Sequence, residues 1–160
     1  SAPAAAKRMT GRGIKKKNNP VFRVTTKVLF APIILYGLYV QFHGDFGPGG
    51  GFQAGVIIAA AFILYGIVFG LSEVKSVAPP GVVQAFTAIG VLLYSGVGVV
   101  NVMLGGNFLD YNTLSYDAAH GQHYGILLVE LGVGVTVTSV MMSLYYAFAG
   151  YKGEAGGAGN

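Results

Sequence analysis

Four stretches of this chain are apolar for long enough to cross a bilayer, and most of its polar residues fall between or outside them. They cover 24–42, 52–71, 82–104 and 123–149. About 20 mostly apolar residues, each rising about 1.5 Å in a helix, traverse the hydrocarbon region. The connectors carry turn formers: His43-Gly44-Asp45-Phe46-Gly47-Pro48-Gly49-Gly50-Gly51, then 72–81 with Pro79-Pro80, then 105–122. Each is short, which predicts that neighbouring helices pack antiparallel. Residues 1–20 read as a basic tail and 151–160 as a flexible Gly/Ala-rich tail, leaving one membrane domain over 21–150. The first span is too long for a secretory signal core, lacks a small-x-small cleavage site and precedes three more spans, so it is expected to remain inserted.

Composition removes the soluble alternative. Of 160 residues, 53% are hydrophobic and 10% charged, against roughly 25% charged in an ordinary soluble domain. Too few polar side chains exist to cover a water-facing surface. Cysteine is absent, which excludes disulfides, iron–sulfur ligation and thiol nucleophiles.

Charge sets the orientation. Lys7, Arg8, Arg12, Lys15, Lys16, Lys17, Arg23 and Lys27 precede or begin the first span, Lys75 sits in the second connector, and Lys152 follows the fourth. The first and third connectors hold no Lys or Arg. Positive charge resists translocation, so both termini and the second connector are assigned to the cytoplasm. The fold class is therefore all-α and integral to the membrane, with four transmembrane helices, short loops and cytoplasmic N- and C-termini. The net charge of +4 points to anionic lipid rather than nucleic acid, because the basic cluster adjoins a membrane span.

Glu130 is the most informative residue. It lies inside the fourth span, in Leu127-Leu128-Val129-Glu130-Leu131-Gly132-Val133. An intramembrane acid usually faces a bundle interior or a wet cavity and handles protons or cations. The bland alternative is a neutral carboxyl hydrogen-bonded to a backbone carbonyl. His123 stands about two turns from Glu130 on the same helical face, with His120, Asp117 and His43 in the neighbouring exterior segments, and these, with Asp45, complete the ion-pathway candidates. His120 and His123 are spaced as a metal pair on a helix would be, with Asp110 and Asp117 nearby. Metal binding is disfavoured because no further His or Cys supplies a third ligand in fixed geometry.

Gly49-Gly50-Gly51-Phe52-Gln53-Ala54 imitates a dinucleotide turn, yet no strand precedes it and a membrane span follows. The Gly-Lys-Ser/Thr ending of a phosphate loop is missing as well. Three glycines after Pro48 instead predict a tight return into the membrane with positive φ accessible. Gly66 and Gly70, with Gly96, Gly98, Gly132 and Gly134, predict close helix packing.

With His43-Gly44 leading into Pro48-Gly49-Gly50-Gly51-Phe52-Gln53-Ala54-Gly55, and Leu128-Val129-Glu130-Leu131-Gly132-Val133 later, the chain resembles the B subunit (MnhB or MrpB family) of Mrp-type multisubunit cation/proton antiporters. The resemblance covers roughly 22–148. It implies a small secondary-transporter subunit, not an enzyme, in a complex that exchanges Na+ for H+ and shares ancestry with the membrane arm of respiratory complex I. It implies a multi-pass protein of a prokaryotic inner membrane, helping to form the cation path. Its partners would be the other integral subunits and membrane lipids, with no cofactor beyond the transported Na+ and H+. Pro48, Gly49, Gly50, Gly51, Phe52, Gln53 and Gly55 are the family loop motif. His43 and the glycines carry over more firmly than Asp45, because Asp45 and Gly47 stand where family members often show other polar residues. The alternatives are a homologous subunit of a membrane-bound hydrogenase or related ion-pumping complex, a small homodimeric drug/proton exporter, and a purely structural assembly subunit.

Overall fold

The computed structural model describes residues 19–44, 49–108 and 118–155, and every regular element among them is helical. Helix α1 covers Pro20–Phe42, α2 Gly51–Phe69, α3 Leu71–Val77, α4 Pro80–Met103 and α5 Ala118–Ala155. Four of these, all but α3, are long and apolar enough to cross a membrane.

Local chemistry explains the boundaries. Pro20 and Pro80 occupy the first turns of α1 and α4, where a missing N–H removes no intrahelical bond. Helix α2 stops at Gly70, which takes φ +110° while its N–H donates to the Gly66 carbonyl at 2.9 Å. Nothing lies within 4 Å of a side chain built there, so Gly70 serves the backbone turn and not helix packing. Gly105, at φ +85°, closes α4 similarly.

Two expectations change. The second connector is not a plain loop, because α3 occupies most of it and buries Val74 completely. Short connectors also fail to decide which helices pack. Helix α1 packs on α2 and α4 on α5, but α2 and α4 have no comparable contact, and α5 separates them. The reason lies in the glycines: Gly55 and Gly66 of α2, and Gly90 of α4, all abut α5. The spatial order is therefore α1, α2, α5, α4.

The α2–α5 seam is a backbone contact. A side chain at Gly55 would meet the Gly134 carbonyl at 2.7 Å, and one at Gly66 the Tyr145 hydroxyl at 2.6 Å. Thr138 Oγ donates to the Gly55 carbonyl across the seam at 3.1 Å and to Gly134 on its own helix at 2.8 Å. On the other flank a side chain at Gly90 would meet the Gly132 carbonyl at 2.8 Å. Removing side chains at such positions is how membrane helices approach closely without a hydrophobic drive between them. Gly96 has open space instead.

Away from Glu130, at the basic end, Val74, Val83, Met142 and Tyr146 form the core. The Tyr146 hydroxyl donates to the Ala78 carbonyl at 2.8 Å, tying α5 to the α3–α4 turn. Helix α5 is about 57 Å long at 1.5 Å per residue, nearly twice the hydrocarbon thickness.

Candidate functional site

Glu130 projects into the place where α1 ends and α2 begins. A side-chain carbon built on Gly44 would stand 2.6 Å from Glu130 Oε2 and 3.0 Å from Oε1. One built on Gly50 would stand 3.3 Å from Oε1 and 3.7 Å from Gln53 Oε1. At Gly51 it would run into the backbone carbonyl of Glu130 itself. Three glycines from the first connector thus form a wall of bare backbone around one carboxyl group.

This corrects the expectation of positive φ in that loop. Gly50 adopts φ 166° and ψ −179°, extended backbone open to any residue. Among the described glycines only Gly70 and Gly105 lie in the left-handed φ range. Gly50 and Gly51 are small because Glu130 occupies the space beside them, not because the backbone is left-handed.

The electrostatics suit a carboxylate. Helix α2 starts here with no side-chain hydrogen bond at its N-cap and no acid in its first turn. Its first amides carry partial positive charge, which favours an anion placed beside them. Glu130 supplies that acid from another helix, 80 residues along the chain from Gly50.

The remaining candidates fall into three groups. His43 caps α1, donates its N–H to the Tyr39 carbonyl at 3.0 Å, stacks its ring on Tyr39 at 4.3 Å and is exposed beside Gly44. His123 is exposed about two turns above Glu130, with its ring 6.1 Å from that of Tyr124. Gln53 is exposed, with its Oε1 3.7 Å from where a side chain on Gly50 would stand, a side chain at Gly49 would meet Val40 at 3.1 Å, Phe52 is exposed, and Gly55 belongs to the seam one turn below. Asp45, Pro48, Asp110 and Asp117 lie outside the described residues, as does the side chain of His120.

Gln41 escaped the sequence reading. It is 6% exposed, its Oε1 presses against Gly134, and its Nε2 has no hydrogen-bond partner among the described residues. Gly134 is one turn from Glu130 on the same face of α5, so Gln41 lies just beneath the carboxyl site. An amide at the penultimate position of an apolar span was the available signal. Gly44 was likewise visible beside His43, but nothing in sequence could place it against residue 130.

Residues 21–143 match the family described as a domain related to the MnhB subunit of the Na+/H+ antiporter. Over 143 residues the chain is 33% identical to a protein of Staphylococcus haemolyticus (strain JCSC1435) that carries the name of an antiporter subunit, mnhB2. The match takes in 86% of this chain and 99% of that protein. A protein of the same name from Staphylococcus aureus (strain Newman) is 33% identical over 138 residues, or 84% of this chain and 97% of its own length.

Proposed function

We propose that this chain, which belongs to the family of domains related to the MnhB subunit of the Na+/H+ antiporter, is an integral subunit of a multisubunit Na+/H+ antiporter and contributes Glu130 to the cation/proton path. The observation that carries the finer part is the glycine wall, with Gly44 and Gly50 both within side-chain distance of the carboxyl oxygens. Bare backbone packed around an acid brings peptide dipoles close to the carboxyl group, and the α2 N-terminus lowers the cost of its charged form. Cation and proton then compete for one carboxylate, which is the elementary requirement of exchange. His43 and His123, both exposed, would pass protons between Glu130 and bulk water, as imidazoles titrating near neutral pH can. The membrane is the bacterial inner membrane, with the basic end of the bundle facing the cytoplasm.

The test is transport by the assembled complex. Glu130→Gln keeps size and hydrogen bonding but cannot ionise, and is expected to lower Na+-driven proton exchange at least about tenfold, while Glu130→Asp retains part of it. Unchanged rate and sodium affinity in an assembled Gln complex would make Glu130 a structural residue.

A further inference from the structure

Below Gln41 the helices enclose a slot of about 430 Å³ that is separate from the carboxyl site. It slants from Leu38 and Phe42 on α1, past Phe62 and Val135, to Ala78 and Val82 near the start of α4. Along α5 its lining runs from Leu131 to Met142, about 16 Å of helix.

Its chemistry is that of hydrocarbon. The polar residues lining it are Gln41, Thr138 and Ser139. Thr138 and Ser139 donate to the carbonyls of Gly134 and Val135 on their own helix, each at 2.8 Å, so neither offers its hydrogen to a guest. A water needs two to four polar partners, and away from Gln41 and the two hydroxyl oxygens this wall does not provide them. The slot also opens sideways to lipid, since Leu38, Val82 and Phe86 on its rim are 43%, 45% and 49% exposed.

An apolar slot that follows about 16 Å of α5 and opens sideways to lipid suits a single flexible hydrocarbon chain, which the surrounding bilayer supplies. At the basic end the slot is floored by Val83 and Met142, which pack with Tyr146. The Lys75 ammonium lies 5.8 Å from the Tyr146 ring. Arg23 and Lys27 stand at the same end over the Phe69 ring, at 5.0 and 5.6 Å. The acid there among the described residues is Glu73, exposed on α3.

We propose that this slot holds one acyl chain of an anionic phospholipid whose phosphate lies against Lys75. The cation sits at headgroup depth while the chain follows the slant of the slot toward Gln41. A neutral lipid would fill the slot without using Lys75, and a free phosphate would use Lys75 without filling the slot.

The chain contains no tryptophan, so Phe86→Trp in the full chain sets a lone indole on the rim of the slot, and Leu92→Trp, at a position 69% exposed, is the lipid-facing control whose quenching is subtracted. In nanodiscs carrying brominated acyl chains, phosphatidylglycerol should quench the slot indole of Phe86→Trp more than phosphatidylcholine does, by about fivefold in relative affinity, the factor for one basic residue at a lipid surface. Lys75→Gln should abolish that preference, while the control indole of Leu92→Trp shows none. Retention of phosphatidylglycerol by the wild-type chain in native mass spectrometry, lost in Lys75→Gln, gives the same answer without a slot substitution. Equal quenching of the slot indole by both lipids, or a slot indole shielded from bromine while the control indole is quenched, overturns the proposal. None of these readings depends on transport, so they stand or fall apart from the role of Glu130.

Discussion

At the scale of single residues, the structure turns a glycine-rich loop into a graded series of tolerances. Gly51→Ala sets a methyl group against the Glu130 carbonyl, a rigid backbone atom, and overpacking of this kind costs about 1–3 kcal/mol. Gly49→Ala meets Val40 Cγ1 at 3.1 Å and the Val40 carbonyl at an ordinary 3.5 Å, and Gly96→Ala meets nothing within 4 Å. The yield and thermal stability of purified complex should therefore fall for position 51, fall slightly for 49 and hold for 96. A normal yield for Gly51→Ala would mean that α2 and α5 stand further apart than described. Glu130 itself was legible from sequence, because lipid makes an unexplained acid conspicuous. Its wall was not, because Gly44 and Gly50 lie more than 75 residues from it along the chain, and glycine announces a close approach without saying to what.

Between elements, contacts depend on a few groups that lipid cannot replace. Thr138→Val keeps shape but removes the bond to the Gly55 carbonyl, and an interhelical bond of this sort contributes about 0.6 kcal/mol in a membrane protein. A modest loss of thermal stability with an intact fold is the expected outcome, and an unfolded chain would show that the seam rests on that bond alone. Gly70→Ala is expected to cost more, about 1–3 kcal/mol, since its φ of +110° resists any side chain although space is free. Circular dichroism melts of the two variants in detergent would rank them. The four long helices were readable because a bilayer demands unbroken apolar runs, although α5, at Ala118–Ala155, begins five residues before and ends six after the run 123–149. Helix α3 was not, since Leu71-Ser72-Glu73-Val74-Lys75-Ser76-Val77 is short and mixed in polarity. Lateral order was hidden too, because glycines on α2, α4 and α5 predict contact without pairing the partners.

For the molecule as a whole, a single row of four spanning helices, with Glu130 the acid within the apolar runs, lacks the paired inverted halves that alternating access commonly uses. The chain reconstituted alone is expected to show no sodium-dependent proton movement. Measurable exchange in liposomes containing only this chain would place the whole path within it. Orientation is testable because the sequence has no cysteine. Ser72→Cys should react with an impermeant maleimide only from the cytoplasmic side, and Asn107→Cys only from the opposite side. The lateral order α1, α2, α5, α4 also bears on biogenesis. The ribosome delivers two hairpins in succession, the first carrying the glycines and the second carrying Glu130. Neither hairpin holds a site by itself. A nascent chain brings Glu130 against the glycines of the first hairpin only when the second hairpin packs sideways onto it, after translation of the last span.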